Sequence, residues 1–352
     1  MDGTVTDSEL ERLDRAAQRV RPIAAAVSRP LVSVVIIGRN EGERLSACLR
    51  AVRAMNFPQD QLELIYVDSH SSDDSVSRAR EQGARVLALP PGPTTAARGR
   101  NAGYREARGE FLLFLDGDAV VAADFLDHAL AFLETRPEVA VYWGHRRELY
   151  PQRSVYNRVL DLDWLFPAGE SAYCGGDAVV RKAVLDQVGV FRDDLIAGEE
   201  PELCTRIRKA GYHIWHADEL MTGHDLAMTS FTAYWRRAFR SGHAYAEVAD
   251  LTRGALFKRE SIKNHVQTAL YLLVPLTLTA VFGWVGLWAF MAVAAVVVLR
   301  TFRRNRWRKA PAGTTLLYSL HAHFCQLPIW FGQLHYLANR RRDVVRQIIE
   351  YK

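Results

Sequence analysis

Cysteine is scarce in this chain: four in 352 residues, at Cys48, Cys174, Cys204 and Cys325. They lie too far apart for a zinc-ligand spacing or a disulfide framework, so a reducing compartment is the simplest reading. The opening residues, MDGTVTDSEL, have neither a basic start nor an apolar run; no secretory leader is expected there. No internal repeat or low-complexity tract is present. Charge is missing altogether from residues 269–299, a run longer than the roughly 20 residues one membrane crossing needs.

The remainder is rich enough to build a core. About half of the residues are apolar and a quarter charged, which suits one large domain or two smaller ones. The net charge of +5 is unevenly placed. Residues 300–309 (RTFRRNRWRK) and 339–346 (NRRRDVVR) are strongly basic, and Lys258, Arg259 and Lys263 precede the uncharged run. Basic flanks on both sides favour a hairpin that enters a bilayer and returns, bent at Gly283-Trp284-Val285-Gly286. Beside such a run, the basic clusters suit an anionic lipid face, and no nucleic-acid partner is expected. Residues 314–337 are a further apolar stretch interrupted by His321, His323, Gln326, Gln333 and His335, expected to lie in the interface. The stretch 228–247 puts Phe231, Trp235 and Ala238 on one stripe beside Arg236, Arg237 and Arg240, a pattern suited to a surface-lying helix.

Residues 1–30 read as a polar helical extension, 31–250 as a catalytic domain and 251–352 as a membrane-associated helical region. In the middle part, apolar runs alternate with helical periodicity. Strands are expected at 31–38, 63–68, 84–89 and 111–116, with helices at 41–54 and 72–82 between them. This pattern predicts an α/β fold with a mixed, mostly parallel sheet flanked by helices.

Each strand runs into a polar cluster: Arg39-Asn40-Glu41, then Asp68 to Asp73, then the Arg98 to Gly103 segment, then Asp116-Gly117-Asp118. In parallel strands these clusters share one edge, where open α/β sheets bind ligands. Two carboxylates one residue apart can hold a hard cation, and that cation can grip a diphosphate.

The ordered set VSVVIIGRNE, YVDSHSSDDS, ARGRNAG and FLDGD resembles the family-two glycosyltransferases of GT-A (Rossmann-like) fold, over roughly residues 31–245. The resemblance implies a nucleotide-sugar donor, a divalent metal (Mg²⁺ or Mn²⁺) and inversion at the anomeric carbon. It implies donor contacts from Arg39, Asn40, Glu41, Asp68, Arg98, Asn101, Asp116 and Gly117, with Asp68 reading the base, commonly uracil. Asp116 and Asp118 correspond to the D-x-D metal motif, and His224 is a further candidate ligand. Gly175, Gly176 and Asp177 correspond to the segment bordering donor sugar and acceptor. Gly198-Glu199-Glu200-Pro201-Glu202-Leu203 resembles the Glu-Asp-x-Glu-Leu motif, with Glu200 in place of the usual aspartate base. Glutamate is one methylene longer, so either the pocket is set back or Glu199 shares the role.

The Gln-x-x-Arg-Trp motif of polysaccharide synthases is replaced here by Tyr234-Trp235-Arg236-Arg237, which argues for transfer of one or a few sugars. The expectation is therefore a metal-dependent inverting transferase at the inner membrane, catalytic domain facing the cytoplasm, with a membrane-linked glycan or lipid acceptor. A sugar-phosphate nucleotidyltransferase is less favoured, because GRNEGERL lacks the repeated glycines of its usual first loop. A non-catalytic membrane scaffold of the same fold is less favoured because Asp116, Asp118 and Glu200 occur together.

Overall fold

The computed structural model describes residues 31–195 and 197–341. The expected extension at 1–30 lies outside the described residues. Strands β1 (Val32–Gly38), β2 (Leu62–Asp68), β3 (Arg85–Ala88), β4 (Phe111–Asp116), β5 (Ala119–Val121), β6 (Val139–Glu148), β7 (Gly169–Glu170), β8 (Ala178–Arg181) and β9 (His213–His224) form one sheet. The order is β3-β2-β1-β4-β8-β6-β9-β5, with β7 on the side of β9. Eleven α-helices accompany it among the described residues: α1 (Glu43–Arg53), α2 (Ser75–Glu81), α3 (Ala96–Glu106), α4 (Phe125–Glu134), α5 (Val155–Leu160), α6 (Lys182–Val188), α7 (Glu199–Lys209), α8 (Phe231–Leu251), α9 (Lys258–Asn305), α10 (Ala312–Phe324) and α11 (Gln326–Arg341).

The first four strands form where the apolar runs predicted them. β1, β2 and β4 are apolar at most positions and are buried along almost their whole length, as strands covered on both faces must be. Burying each large side chain such as Ile36, Ile65 or Leu113 contributes about 1.5–3 kcal/mol. β3-β2-β1-β4 is the parallel part of the sheet. The remainder is mixed: β8 runs antiparallel to β4 and β6, β9 runs parallel to β6, and β5 and β7 run antiparallel to β9.

Register places the chemistry. Gly38 is level with Asp68, and Ile37 with Asp116, so three of the polar clusters share one edge. Phe114 is level with Ala178, which sets Asp177 beside the end of β4. Ala119 is level with His224, which brings the end of β9 back to the Asp116-Gly117-Asp118 turn.

Helix α9 is interrupted at Gly283, which takes φ 57° and ψ −143°, a conformation open to glycine and costly for other residues. Three residues on, a Cβ at Gly286 would lie 2.1 Å from the Leu278 carbonyl oxygen. Eight residues of continuous helix span about 12 Å, so the two arms fold back on each other. The uncharged run is thus the expected hairpin. Its outer surface is apolar and open, with Val281, Trp284, Val285 and Trp288 each at least 70% exposed. The 314–337 stretch is two helices, α10 and α11, meeting at Cys325.

The helical region is tied to the sheet domain by polar contacts. Arg308 donates to the Leu162 carbonyl (2.9 Å), Tyr234 and His321 share a hydrogen bond (2.7 Å), and Tyr336 donates to Asp250 (2.7 Å). α8 and α11 cross at two glycines: a Cβ at Gly242 would fall 1.9 Å from the Ile329 oxygen, and one at Gly332 1.9 Å from the Phe239 oxygen. Backbone stands on both sides of that crossing, so it has no room to yield. Gly242→Leu is expected to destabilise the detergent-solubilised protein by about 1–3 kcal/mol, read as a lowered melting temperature. An unchanged melting temperature would show that the helices do not cross at this distance.

Candidate active site

The site is built around Arg100, which sits on α3 and is 2% exposed. Its guanidinium donates to Asp116 Oδ1 (3.1 Å), Glu199 Oε1 (2.8 Å) and Glu200 Oε1 (3.1 Å). Burial would lower its pKa, but the carboxylates of Glu200, Asp116 and Glu199 raise it instead. One cation therefore joins the end of β4 to the start of α7. The backbone at Gly176 presses on this group: a Cβ there would lie 2.3 Å from an Arg100 nitrogen and 3.3 Å from Glu200 Oε1. Glycine is the residue that fits.

The two glutamates differ. Glu199 is 4% exposed, and burial followed by the neighbouring Glu200 pushes its carboxyl up to about 8, against the pull of Arg100. It holds a proton near neutrality and is poorly suited to accept another. Glu200 borders a cavity of about 330 Å³. Glu200 is thus open to that cavity, and Glu199 is closed off.

The second cluster is centred on Asp177, which is fully buried. Its Oδ1 accepts from the Asp116 amide (2.9 Å), and its Oδ2 accepts from Arg146 (2.8 Å) and Thr222 (2.9 Å). His224 Nε2 is 3.0 Å from the same Oδ2, and His224 Nδ1 is 3.2 Å from Asp118 Oδ1. Burial alone would raise the Asp177 carboxyl, yet Arg146 and His224 hold it far below the ordinary carboxylate range. For His224, burial and Arg146 oppose the charged form, while Asp118 and Asp177 raise its pKa to about 9.

Asp116, Asp177 and His224 each offer a ligand atom within 4.8 Å of the others. Carboxylate oxygens with one imidazole suit a divalent cation such as Mg²⁺ or Mn²⁺, so the residues fit the group. A neutral ring is required for ligation, and cation binding would release the His224 proton. Asp116, Asp118 and His224 face a cavity of about 540 Å³ that Arg44, Arg146, Arg236, Arg237 and Arg240 also line, with Asp177 buried behind them.

The expected donor residues divide. Asp68, Asp116, Gly117 and Glu41 converge on the strand edge. Gly117 donates its amide to the Ile37 oxygen (2.8 Å), and Glu41 pairs with Arg44 (3.0 Å). Asp68 is 6% exposed and accepts from Tyr66 (3.1 Å) and the Ser71 amide (2.9 Å). Arg39 is half-buried in the same first loop. Asn40, at φ 53°, links that loop to the next: its amide donates to Ser71 (2.9 Å) and its side-chain oxygen accepts from the Ser72 amide (2.8 Å).

Two residues are directed elsewhere. Asn101 is 1% exposed and is spent on Phe191 and Asp193. Arg98 donates to the carbonyls of Pro90 and Pro91 (3.0 and 3.1 Å), and also to that of Pro93. The structure thus gives both residues fold-supporting partners instead of the expected donor contacts. Asp177, expected at the acceptor, lies instead beneath the metal cluster, because β8 runs antiparallel beside β4. Gly175 does border the cavity next to Glu200.

Arg100, Arg146 and Trp164 went unnoticed in the sequence. Arg100 stands inside the ARGRNAG segment, where a buried cation among so many acidic motif residues was the available signal. Arg146 and Trp164 carried none: they meet His224 only through β6 and the turn that follows it, with Trp164 5.9 Å from the His224 ring.

Comparison with known proteins agrees with this geometry. Residues 33–188 match the family model described as Glycosyl transferase family 2. Glycosyltransferase AglE of Haloferax volcanii is 26% identical over 254 residues, 70% of this chain and 81% of its own length. The probable glycosyltransferase YdaM of Bacillus subtilis is 24% identical over 253 residues, 66% of this chain and 60% of its own length. Among solved structures, the mannosyltransferase PcManGT of Pyrobaculum calidifontis, in complex with GDP-Man and Mn²⁺, superposes with a TM-score of 0.55 at 21% identity, over 89% of this chain and 93% of that one. At that identity the likeness bears on the fold.

A pH experiment tests the Glu199 assignment. Folding raises the Glu199 pKa from about 4.5 to about 8, so the folded state holds the extra proton between those values. Its contribution to stability is present below about pH 4.5 and declines as pH rises to about 8. Glu199→Gln, which cannot ionise, is expected to lose less melting temperature than the parent between pH 5.5 and 8.5. Parallel curves would show that Glu199 is ionised throughout.

Proposed function

This chain carries a glycosyltransferase family 2 domain on a mixed α/β GT-A sheet and is an enzyme of that class; we propose that it transfers a sugar, with inversion, from a nucleoside diphosphate sugar to a hydroxyl of a membrane-linked glycan or lipid. The observation that carries the reading is the shared hold of Arg100 on Asp116 and Glu200, which sets the carboxylate that faces the donor and the one that faces the acceptor on a single guanidinium.

In this reading the nucleoside lies along the edge formed by Arg39, Glu41 and Asp68, with Asp68 reading the base, uracil being the first candidate. Asp116, Asp177 and His224, with Asp118 beside His224, would hold a divalent cation. When bound, that cation stabilises negative charge on the leaving diphosphate. Arg146 and the arginines of α8 add positive potential on the same side. Glu200 takes the proton of the acceptor hydroxyl as its oxygen bonds to the anomeric carbon and the bond to the diphosphate breaks. The departing nucleoside diphosphate leaves from the opposite face, which inverts the centre.

The membrane part of the reading rests on α9. Its two uncharged arms, 269–282 and 284–299, measure about 21 and 24 Å at the helical rise, short of the roughly 30 Å hydrocarbon core. Such arms enter the core from one face, stop short of the other and return, leaving both basic flanks and the site on the cytoplasmic face. A bilayer-seated acceptor then needs no excursion into water.

A donor screen tests the assignment: UDP, GDP or TDP release from a panel of nucleotide sugars, with Mn²⁺ or Mg²⁺. Asp118→Ala is expected to abolish metal-dependent release, and Glu200→Gln to lower kcat about 10²–10⁴-fold with nucleotide affinity little changed. Metal-dependent transfer that survives in the Asp118 variant would refute the reading. Replacing Trp284 and Trp288 by glutamate is expected to shift the protein from liposome-bound to soluble fractions in flotation; unaltered flotation would reject the hairpin as anchor.

A further inference from the structure

The cavity beside Glu200 is separate from the metal-side cavity, and its walls differ in kind. The metal side is lined by carboxylates, a histidine and five arginines. The Glu200 side is lined by Tyr173, Tyr245 and Phe257 with His243, Pro201 and small residues between them, and its carboxylate and guanidinium are those of Glu200 and Arg240. Arg240 lines both cavities and so stands at their boundary.

The aromatic wall is constructed with some care. Phe257 is held at φ 53°, an uncommon backbone conformation for a bulky residue. Its ring packs on Tyr245, centroids 5.0 Å apart, and against Gly198, where a Cβ would come within 2.9 Å of it. Gly198 immediately precedes the two glutamates. Tyr173, 46% exposed, forms the opposite lip. Backbone strain of this kind persists where the surroundings over-determine it.

We propose that this cavity is the acceptor subsite and that it takes a neutral pyranose ring, one face against Tyr245 and Phe257 and one hydroxyl turned to Glu200. The assignment rests on the glycosyl-transfer reading and specifies its acceptor. A sugar ring presents an apolar C–H face and a rim of hydroxyls, which matches an aromatic surface with one carboxylate at its edge. A volume of about 330 Å³ stands at the small end of ligand pockets and suits a single ring. Arg240 is the one arginine on this wall and is shared with the metal side, so a uronic acid here would set its carboxylate against Glu200, where like charges repel. The remaining lipid or glycan leaves past Tyr173.

The test uses the full chain in detergent with nucleoside diphosphate and Mn²⁺, and saturation-transfer NMR on methyl glucoside, methyl mannoside, methyl galactoside, methyl glucuronide and 1-hexanol. Saturation is expected for the ring protons of at least one neutral glycoside and not for the glucuronide. Tyr245→Ala is expected to reduce that signal at least five-fold, and Tyr245→Phe, which keeps the ring, to restore it. No signal from any neutral glycoside, an undiminished signal in Tyr245→Ala, or a hexanol signal at this position that outcompetes the glycosides would overturn the proposal. Nucleotide binding, followed in parallel by calorimetry, separates the outcomes. Its absence in the parent protein counts against glycosyl transfer itself, and its presence in Tyr245→Ala shows that the variant is folded.

Discussion

A buried guanidinium with three carboxylates is the constraint on which the rest of this molecule depends. Arg100 cannot be desolvated alone, and Asp116, Glu199 and Glu200 cannot crowd together without it. Pairing is what makes the burial tolerable. Glu199 keeps its proton near neutrality, which lowers the negative charge the cluster must carry. The arrangement couples two parts of the fold that are about 100 residues apart in sequence. Anything that draws Asp116 toward a cation also changes the field at Glu200.

The sheet explains why these groups meet. The parallel part, β3-β2-β1-β4, sends its loops to one edge and supplies the Asp68 and Asp116 positions. The mixed part closes the other side: β8 returns beside β4 with Asp177 at its start, and β9 ends level with Ala119 to deliver His224. Parallel pairing fixes the first set and antiparallel pairing fixes the second. The core behind both is continuous from Val32 to Met221, so each half is held in place by packing the other half also uses.

That division also accounts for what the sequence made legible. The first four strands, the strand-end clusters and the bend at Gly283 were visible because each is a local pattern: an apolar run, a polar stop, or a paired glycine within an uncharged stretch. His224 and Asp177 could be named but not positioned, since their neighbours depend on antiparallel pairing that no periodicity reports. The resemblance put Asp177 beside donor sugar and acceptor; here it pairs with Arg146 and His224. The resemblance implied donor contacts for Asn101 and Arg98; their hydrogen bonds here hold the 191–193 and 90–93 loops. Arg100 lay between them in the same segment and was passed over, because burial of a cation is a tertiary fact.

The hairpin of α9 has a mechanical corollary. On the membrane reading, two helical arms that enter from one face and stop short of the far side displace more lipid from the near monolayer than from the far one. They add more area there than opposite, which makes them a wedge. The free energy of seating such a wedge depends on how tightly the surrounding headgroups are packed. On the membrane reading, residence on the bilayer therefore becomes sensitive to local curvature and lipid shape, and convex, loosely packed regions would concentrate the enzyme without any protein partner to recruit it.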